Sequence, residues 1–311
     1  MAGTLRYFPP KGVVTPMPVT SSTTARFGLS LDQLHLLEQQ CPTIALPPEF
    51  HIEWEDAVPI AERAARDHSA EQGLINQGLL SPGASDVAAR VSPVLLGFLG
   101  LFADPALVLG VRSWNGERTF IQSIAILSGF AVSLVRTQQV GAQTVTPLNE
   151  DTAELSAFEL PETIAELLRS LTVVDGLHEH VSPGAWTILP IALAQGLIEA
   201  IRGGHDEIIE AAAIESGRMD ALPIVARAAG DIAAGFTFFA TSIVTGEHVA
   251  LHWFRSADGW FELSASTPVG AESVGAFVDN GAVRISTSDT SPIVAAVTVA
   301  VAALTGALRG Y

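Results

Sequence analysis

The sequence predicts an α+β fold in which a central antiparallel sheet carries flanking helices, and three observations predict it. Two stretches, 106–148 and 236–286, each present four short apolar runs separated by Gly-containing turns. Asn115-Gly116 and Asp258-Gly259 stand inside those stretches as two-residue hairpin signals, so the runs that flank them are antiparallel neighbours. Each stretch is also preceded and followed by segments whose large apolar residues recur three and four apart, the spacing of a helix packed on one face. Because the order recurs, residues 1–23 are expected to be a loose arm and 24–311 a single domain. That domain is expected to hold two pseudo-repeats, 24–175 and 176–311, about a pseudo-two-fold axis.

Each element has its own local reason. Residues 24–29 form a short strand, after which Ser30 is an N-cap for a helix carrying Leu31, Leu34 and Leu37 and closed by Pro42. Pro47 and Pro48 lead into Phe50-His51-Ile52-Glu53-Trp54, whose alternation predicts a strand with one solvated face. A helix over 59–77, rich in Ala, Glu and Arg, ends at Gly78. A second begins near Ser85 with Val87, Val91, Val94, Phe98 and Leu101 on one stripe, and Pro93 kinks or restarts it.

In the first meander Leu107, Leu109 and Val111 point one way, 119–127 returns, Ser128-Gly129 turns again, and Gly141 leads to a fourth strand at 144–148. Pro147 places that strand at an edge or at its own end. A helix over 161–171 closes the half, with Pro161 first and Ile164, Leu167, Leu168 and Leu171 inward. The second half repeats this: a strand at 185–189, a helix at 191–201 ended by Gly203-Gly204, helices at 206–215 and 219–229, then strands at 236–244, 248–255, 260–265 and 283–286. A final helix, 292–308, has Val294, Val297, Val301, Leu304 and Leu308 along one side and Ala or Thr elsewhere. That asymmetry describes a helix on a sheet rather than a membrane span, which is apolar all round.

Composition narrows the function classes. With 48% hydrophobic residues in 311, the chain can bury a substantial core. Acidic residues outnumber basic ones 33 to 16, and a formal charge of −17 repels nucleic acid and anionic membrane surfaces. Cys41 is the sole cysteine, which rules out an intrachain disulfide and a thiolate cluster and suits a reducing, cytoplasmic compartment. The 1–23 segment mixes Pro, Thr, Ser and Gly with no apolar h-region of the secretory type.

Catalytic and cofactor motifs are sparse. His178-Glu179-His180 is the one dense group of possible metal ligands, but no HExxH, cysteine pair or third ligand at a known spacing accompanies it, so a surface loop is expected there. His248 and His252 fall on one face of a strand, an ordinary half-buried placement. No GxSxG, GxGxxG or GxxxxGK[ST] occurs, so neither a nucleophile elbow nor a nucleotide cradle is signalled, and no cofactor is expected. Glu53, Glu55 and Asp56 suit a strand end and a helix N-terminus. Trp54, Trp114 and Trp253 lie in or beside strands and are expected to cap the core, with partner anchoring as the alternative role.

The order of elements, the opening Leu29-Ser30-Leu31-Asp32-Gln33-Leu34, the run Glu71-Gln72-Gly73-Leu74-Ile75, the helix start Ser81-Pro82-Gly83-Ala84-Ser85-Asp86-Val87 and the first meander together resemble the EspG family of actinobacterial type VII (ESX) secretion. The resemblance spans about 24–308. It implies a pseudo-two-fold fold with a central antiparallel sheet and a C-terminal helical bundle. It also implies a non-enzymatic cytosolic chaperone that binds PE/PPE-type heterodimers, shields an apolar tip and delivers the pair to the secretion machine. The partner contacts it implies are the loop between the second and third sheet strands, here Trp114, Asn115, Gly116, Glu117 and Arg118, part of the sheet face, and the bundle at 191–203 and 206–229, with Glu207, Glu210, Glu215 and Arg218. The alternative from another class is a hydrolase or small-ligand-binding enzyme with dispersed residues, for which His178, Glu179 and His180 are the first suspects.

Overall fold

Ser30 ends the first strand, β1 (Ala25–Ser30), and starts the first helix, α1 (Leu31–Gln40), through both halves of a capping box. Its Oγ accepts from the Gln33 N–H at 3.1 Å, and its own N–H donates to Gln33 Oε1 at 2.8 Å. This computed structural model describes residues 25–51, 59–83, 86–116, 118–139, 152–169, 185–266, 280–288 and 290–308. After α1 come α2 (Ile60–Asn76), α3 (Val87–Arg90) and α4 (Pro93–Gly100). Pro93 restarts the helix rather than kinking it, standing at the first helical position where its missing N–H costs nothing. The strand expected from Phe50 does not begin there: Pro47 and Pro48 instead wind a 3-10 turn, Pro48–Phe50, that drops the Phe50 ring into the core. The rest of that expected strand, 52–54, lies outside the described residues.

The first meander is β2 (Leu107–Trp114), β3 (Arg118–Leu127), β4 (Phe130–Gln139) and β5 (Thr152–Glu159). The strand paired with β4 is β5, and the expected fourth strand at 144–148 lies outside the described residues. Leu160–Glu162 then turns into α5 (Thr163–Arg169). The second half follows with β6 (Trp186–Pro190), α6 (Ile191–Gly203), α7 (Asp206–Glu215) and α8 (Leu222–Ala228). Gly204 closes α6 with φ of 69°, a left-handed conformation that glycine adopts without a Cβ clash. The chain continues as β7 (Ala234–Ser242), β8 (His248–Ser256), β9 (Gly259–Ser266), β10 (Ala282–Ser288) and α9 (Thr290–Leu308).

Among the described residues all ten strands pair antiparallel in one sheet of order β1-β5-β4-β3-β2-β7-β8-β9-β10-β6. The order is palindromic about the β2–β7 seam: each meander ends on the strand that opened its own half. One face carries α1–α4 over the β1–β5 half, with Leu34, Leu37, Leu74, Leu95 and Leu99 packed on Leu29, Val132, Leu134 and Leu155. The same face carries α6 and α8 over the other half, where Leu197 and Val225 meet Phe254, Phe261 and Ile285. We call this the bundle face.

The opposite face is covered by α5 and α9, whose Leu167, Ile293, Val297, Val301 and Leu304 bury Leu109, Val111, Phe236, Phe238, Trp253 and Trp260. Each buried aromatic or leucine side chain contributes about 1.5–3 kcal/mol by leaving water, so the sheet is the common floor of three cores. Trp253, 2% exposed, belongs to the core as expected. Among the described residues no helix is long and apolar enough to cross a membrane.

Candidate functional site

Alternation along β2 and β7 sends every second residue to the bundle face, and at the seam no helix among the described residues covers them. Arg112 and Trp114 of β2 and Thr237, Phe239 and Thr241 of β7 stay partly open, as do His248, Ala250 and His252 of β8. The α1–α4 group rises on one side of this strip and α6–α8 on the other.

Two rings pave the strip because two glycines let them lie down. Across the seam Gly110 pairs with Phe239 and Trp114 with Gly235. A Cβ built on Gly110 would meet Phe239 Cζ at 1.8 Å, and one on Gly235 would meet Trp114 Cη2 at 1.9 Å. Each aromatic therefore rests on the backbone of its cross-strand partner, which fixes its orientation at low entropy and offers a flat apolar surface upward.

Between the rings lies a polar row: Arg112 pairs with Thr237, and Thr237 with His252. Thr237 Oγ1 and His252 Nδ1 share a hydrogen bond of 3.2 Å. Burial lowers the His252 pKa below its ordinary 6.5, so the imidazole is neutral at pH 7 and adds no charge to the strip. Beyond His252 an apolar cleft of about 420 Å³ opens under α6, lined by Ala194, Ile198, Leu263, Val283 and Ile285, with Glu199 and Arg202 also on its lining. An aromatic strip continued by an apolar cleft and edged with charge suits a protein side chain or helix tip.

The positions singled out from the sequence fall in two places. Trp114 is in the strip itself. Asn115 and Gly116 shape the hairpin at its end: Asn115 Oδ1 accepts from the Arg118 N–H at 3.2 Å, and Gly116 takes φ of 80°. Arg118 opens β3 beside them, and Glu117 lies outside the described residues. Glu207, Glu210 and Glu215 lie exposed on α7, with Ile208 and Ile214 at 57% and 60% exposure on the same helix.

Arg218 has work inside the fold. Its guanidinium donates to Thr187 Oγ1 at 2.8 Å and to the Ile188 carbonyl of edge strand β6, and it pairs with Asp220 at 3.2 Å, holding that carboxyl below the usual range. The hairpin residues and α7 are thus not one cluster; the strip and the α6 cleft run between their elements.

Sequence reasoning named the 191–203 segment that roofs the cleft but missed Arg112, Phe239 and the cleft's sheet side at Leu263, Val283 and Ile285. The available signal was Phe236-Thr237-Phe238-Phe239, which puts aromatics on both faces of one strand where a single covered face needs only alternate ones. His178, Glu179 and His180 lie outside the described residues, and among those described no group of three His, Cys, Asp or Glu is placed to hold a metal.

No protein-family profile matches the sequence, and no curated protein matches it. Solved structures do: the Mycobacterium tuberculosis type VII secretion system chaperone EspG5, determined in complex with a PE25-PPE41 dimer, superposes with a TM-score of 0.52 at 13% identity, over 87% of this chain and 94% of that one. The chain therefore shares the fold of a type VII secretion chaperone, the α+β architecture that its sequence anticipates.

Proposed function

We propose that this chain is a chaperone of the EspG kind, which holds a PE/PPE-type heterodimer in the cytoplasm and delivers it to a type VII secretion system. The observation that carries the reading is the open strip at the β2–β7 seam, where two glycine-seated rings and an apolar cleft lie between helical groups on a fold shared with EspG5. A chaperone for a helical tip needs a broad apolar surface edged by polar groups and no reactive centre. The rings of Trp114 and Phe239 take the apolar tip, Asn115, Gly116, Glu117 and Arg118 border it at the hairpin, and Glu207, Glu210 and Glu215 extend the contact along α7. Arg218 contributes by keeping α7 and α8 on β6.

Co-expression with PE/PPE pairs encoded near this chain tests the reading. A stoichiometric complex is expected from at least one pair. Phe239→Asp or Ile198→Asp, which place a carboxylate on the strip or in the cleft, are expected to weaken it by 100-fold or more, the order of a central interface residue. Failure of every encoded pair to bind the wild-type chain overturns the proposal.

A further inference from the structure

The end of the sheet opposite the Trp114 hairpin carries an apolar surface that the described residues leave open. Leu127 and Phe130, at the β3–β4 turn, are 40% and 37% exposed, and Ile243 and Val244, at the β7–β8 turn, are 56% and 46% exposed. Ala106 ties the two turns together: its N–H donates to Ile126 O at 2.9 Å and its carbonyl accepts from the Ile243 N–H at 2.9 Å. The four side chains thus belong to one end of the four adjacent strands β4, β3, β2 and β7 rather than to separate loops, which sets them apart from scattered surface apolar residues. The residues around them are acidic: Asp104, Glu159 and Glu247 are exposed there, and 103–107, 127–130, 159 and 242–248 contain no Arg or Lys.

The described chain begins at this same end. Ala25 pairs with Ala157 of β5, and Phe130 with Glu159 of the same strand. At ~4.8 Å per strand, the β4 turn lies ~10 Å from β1 and the β7 turn ~24 Å away. At ~3.3 Å per extended residue, Val19 reaches up to ~20 Å from Ala25 and Val14 up to ~36 Å. Residues 1–23 contain Arg6 and Lys11 and no acidic residue, in a chain of net charge −17. Their apolar Val13, Val14, Met17 and Val19 are interleaved with Pro16 and Pro18, a composition that favours an extended backbone and lowers the entropy lost on docking.

We propose that residues 13–19 lie across this end of the sheet. Met17 and Val19 cover Leu127 and Phe130, Val13 and Val14 cover Ile243 and Val244, and Lys11 and Arg6 fall among Asp104, Glu159 and Glu247. Tethering makes the contact intramolecular, with an effective concentration in the millimolar range.

Two measurements on the full chain test this. In Val14→Cys/Ile243→Cys, mild oxidation is expected to close an intrachain disulfide at a rate independent of protein concentration. That rate should exceed by ~10-fold or more the rate for Val14→Cys/Ile232→Cys, whose second site is an exposed position in the loop before β7, towards the far end of the sheet. Cys41, 1% exposed, does not compete. By hydrogen exchange, amides of 127–130 and 243–247 are expected to be ~10-fold better protected in the wild type than in Met17→Asp/Val19→Asp. Equal cross-linking at the two sites overturns the proposal, as does protection that disappears on dilution, which marks a second copy as the cover. Protection that comes only with added PE25-PPE41 dimer overturns it too, since a partner is then the cover.

Discussion

Phe239 lies flat over Gly110 across the β2–β7 seam, at the centre of a ten-stranded sheet. A Cβ at Gly110 would stand 1.8 Å from the ring, so glycine is what lets the ring lie there. Because the ring is only half-buried, Gly110→Ala is expected to lift it rather than break the sheet, at about 1–2 kcal/mol of stability. Combining Gly110→Ala with Phe239→Ala is expected to cost less than the two separate losses, because the clash is gone. Urea melts of the four species check this, and full additivity would show that the ring does not rest on Gly110.

Both outer strands of the sheet have a main-chain acceptor taken by a side chain from their own half. Gln77, just past α2, donates Nε2 to Gly28 O of β1 at 3.1 Å, and Arg218, past α7, donates to Ile188 O of β6. Pro190, at the end of β6, has no N–H to offer. These are edge-blocking devices. Arg218→Ala is expected to lower stability by about 1–3 kcal/mol, the value of a charge-assisted hydrogen bond, and to promote self-association that light scattering detects. Gln77→Ala, which removes a neutral donor, is expected to cost about 1 kcal/mol.

Acid sensitivity is expected at the β1 edge. Arg26 pairs with Glu154 at 2.5 Å and Glu166 at 3.1 Å, and Arg169 reaches both carboxylates at 2.7 Å. Burial would raise the Glu154 pKa, but Arg169 and Arg26 outweigh it and hold the carboxyl below its ordinary 4.5. A depressed carboxyl stabilises the fold fully above the unfolded value, and that contribution is lost as pH falls through the folded value. Stability should therefore fall below about pH 4.5, and Glu154→Gln should be less stable at pH 7 with a shallower decline in acid. Equal pH slopes for both proteins in chemical denaturation would refute this.

Ser30→Ala removes one arm of the capping box that starts α1. The expected loss is about 1 kcal/mol, because the Gln33 N–H then lacks its acceptor at a helix end packed on the core. Ser30→Asp, which restores an acceptor and suits the helix dipole, should recover most of it in thermal melts.

The sequence by itself determined the α+β class, the recurrence of elements and most helix boundaries, because each rests on interactions within a few residues. Ser30 and Gln33 cap one another locally, Pro93 restarts a helix through its own ring, and Asp206–Glu215 is helical as its apolar spacing predicts. Where a local signal met a stronger backbone constraint it lost: alternation predicted a strand to begin at Phe50, and the prolines before it wound a turn that ends there. Only the tertiary structure decided which strands became neighbours, and with them the candidate site. Gly110 and Phe239, like Gly235 and Trp114, are more than a hundred positions apart, and the register that seats each ring on a glycine belongs to the seam between the two halves. Which residues of that seam stay open depends on where two separate helical groups stop covering the sheet, and that depends on the packing of the whole chain rather than on the pattern of any one segment.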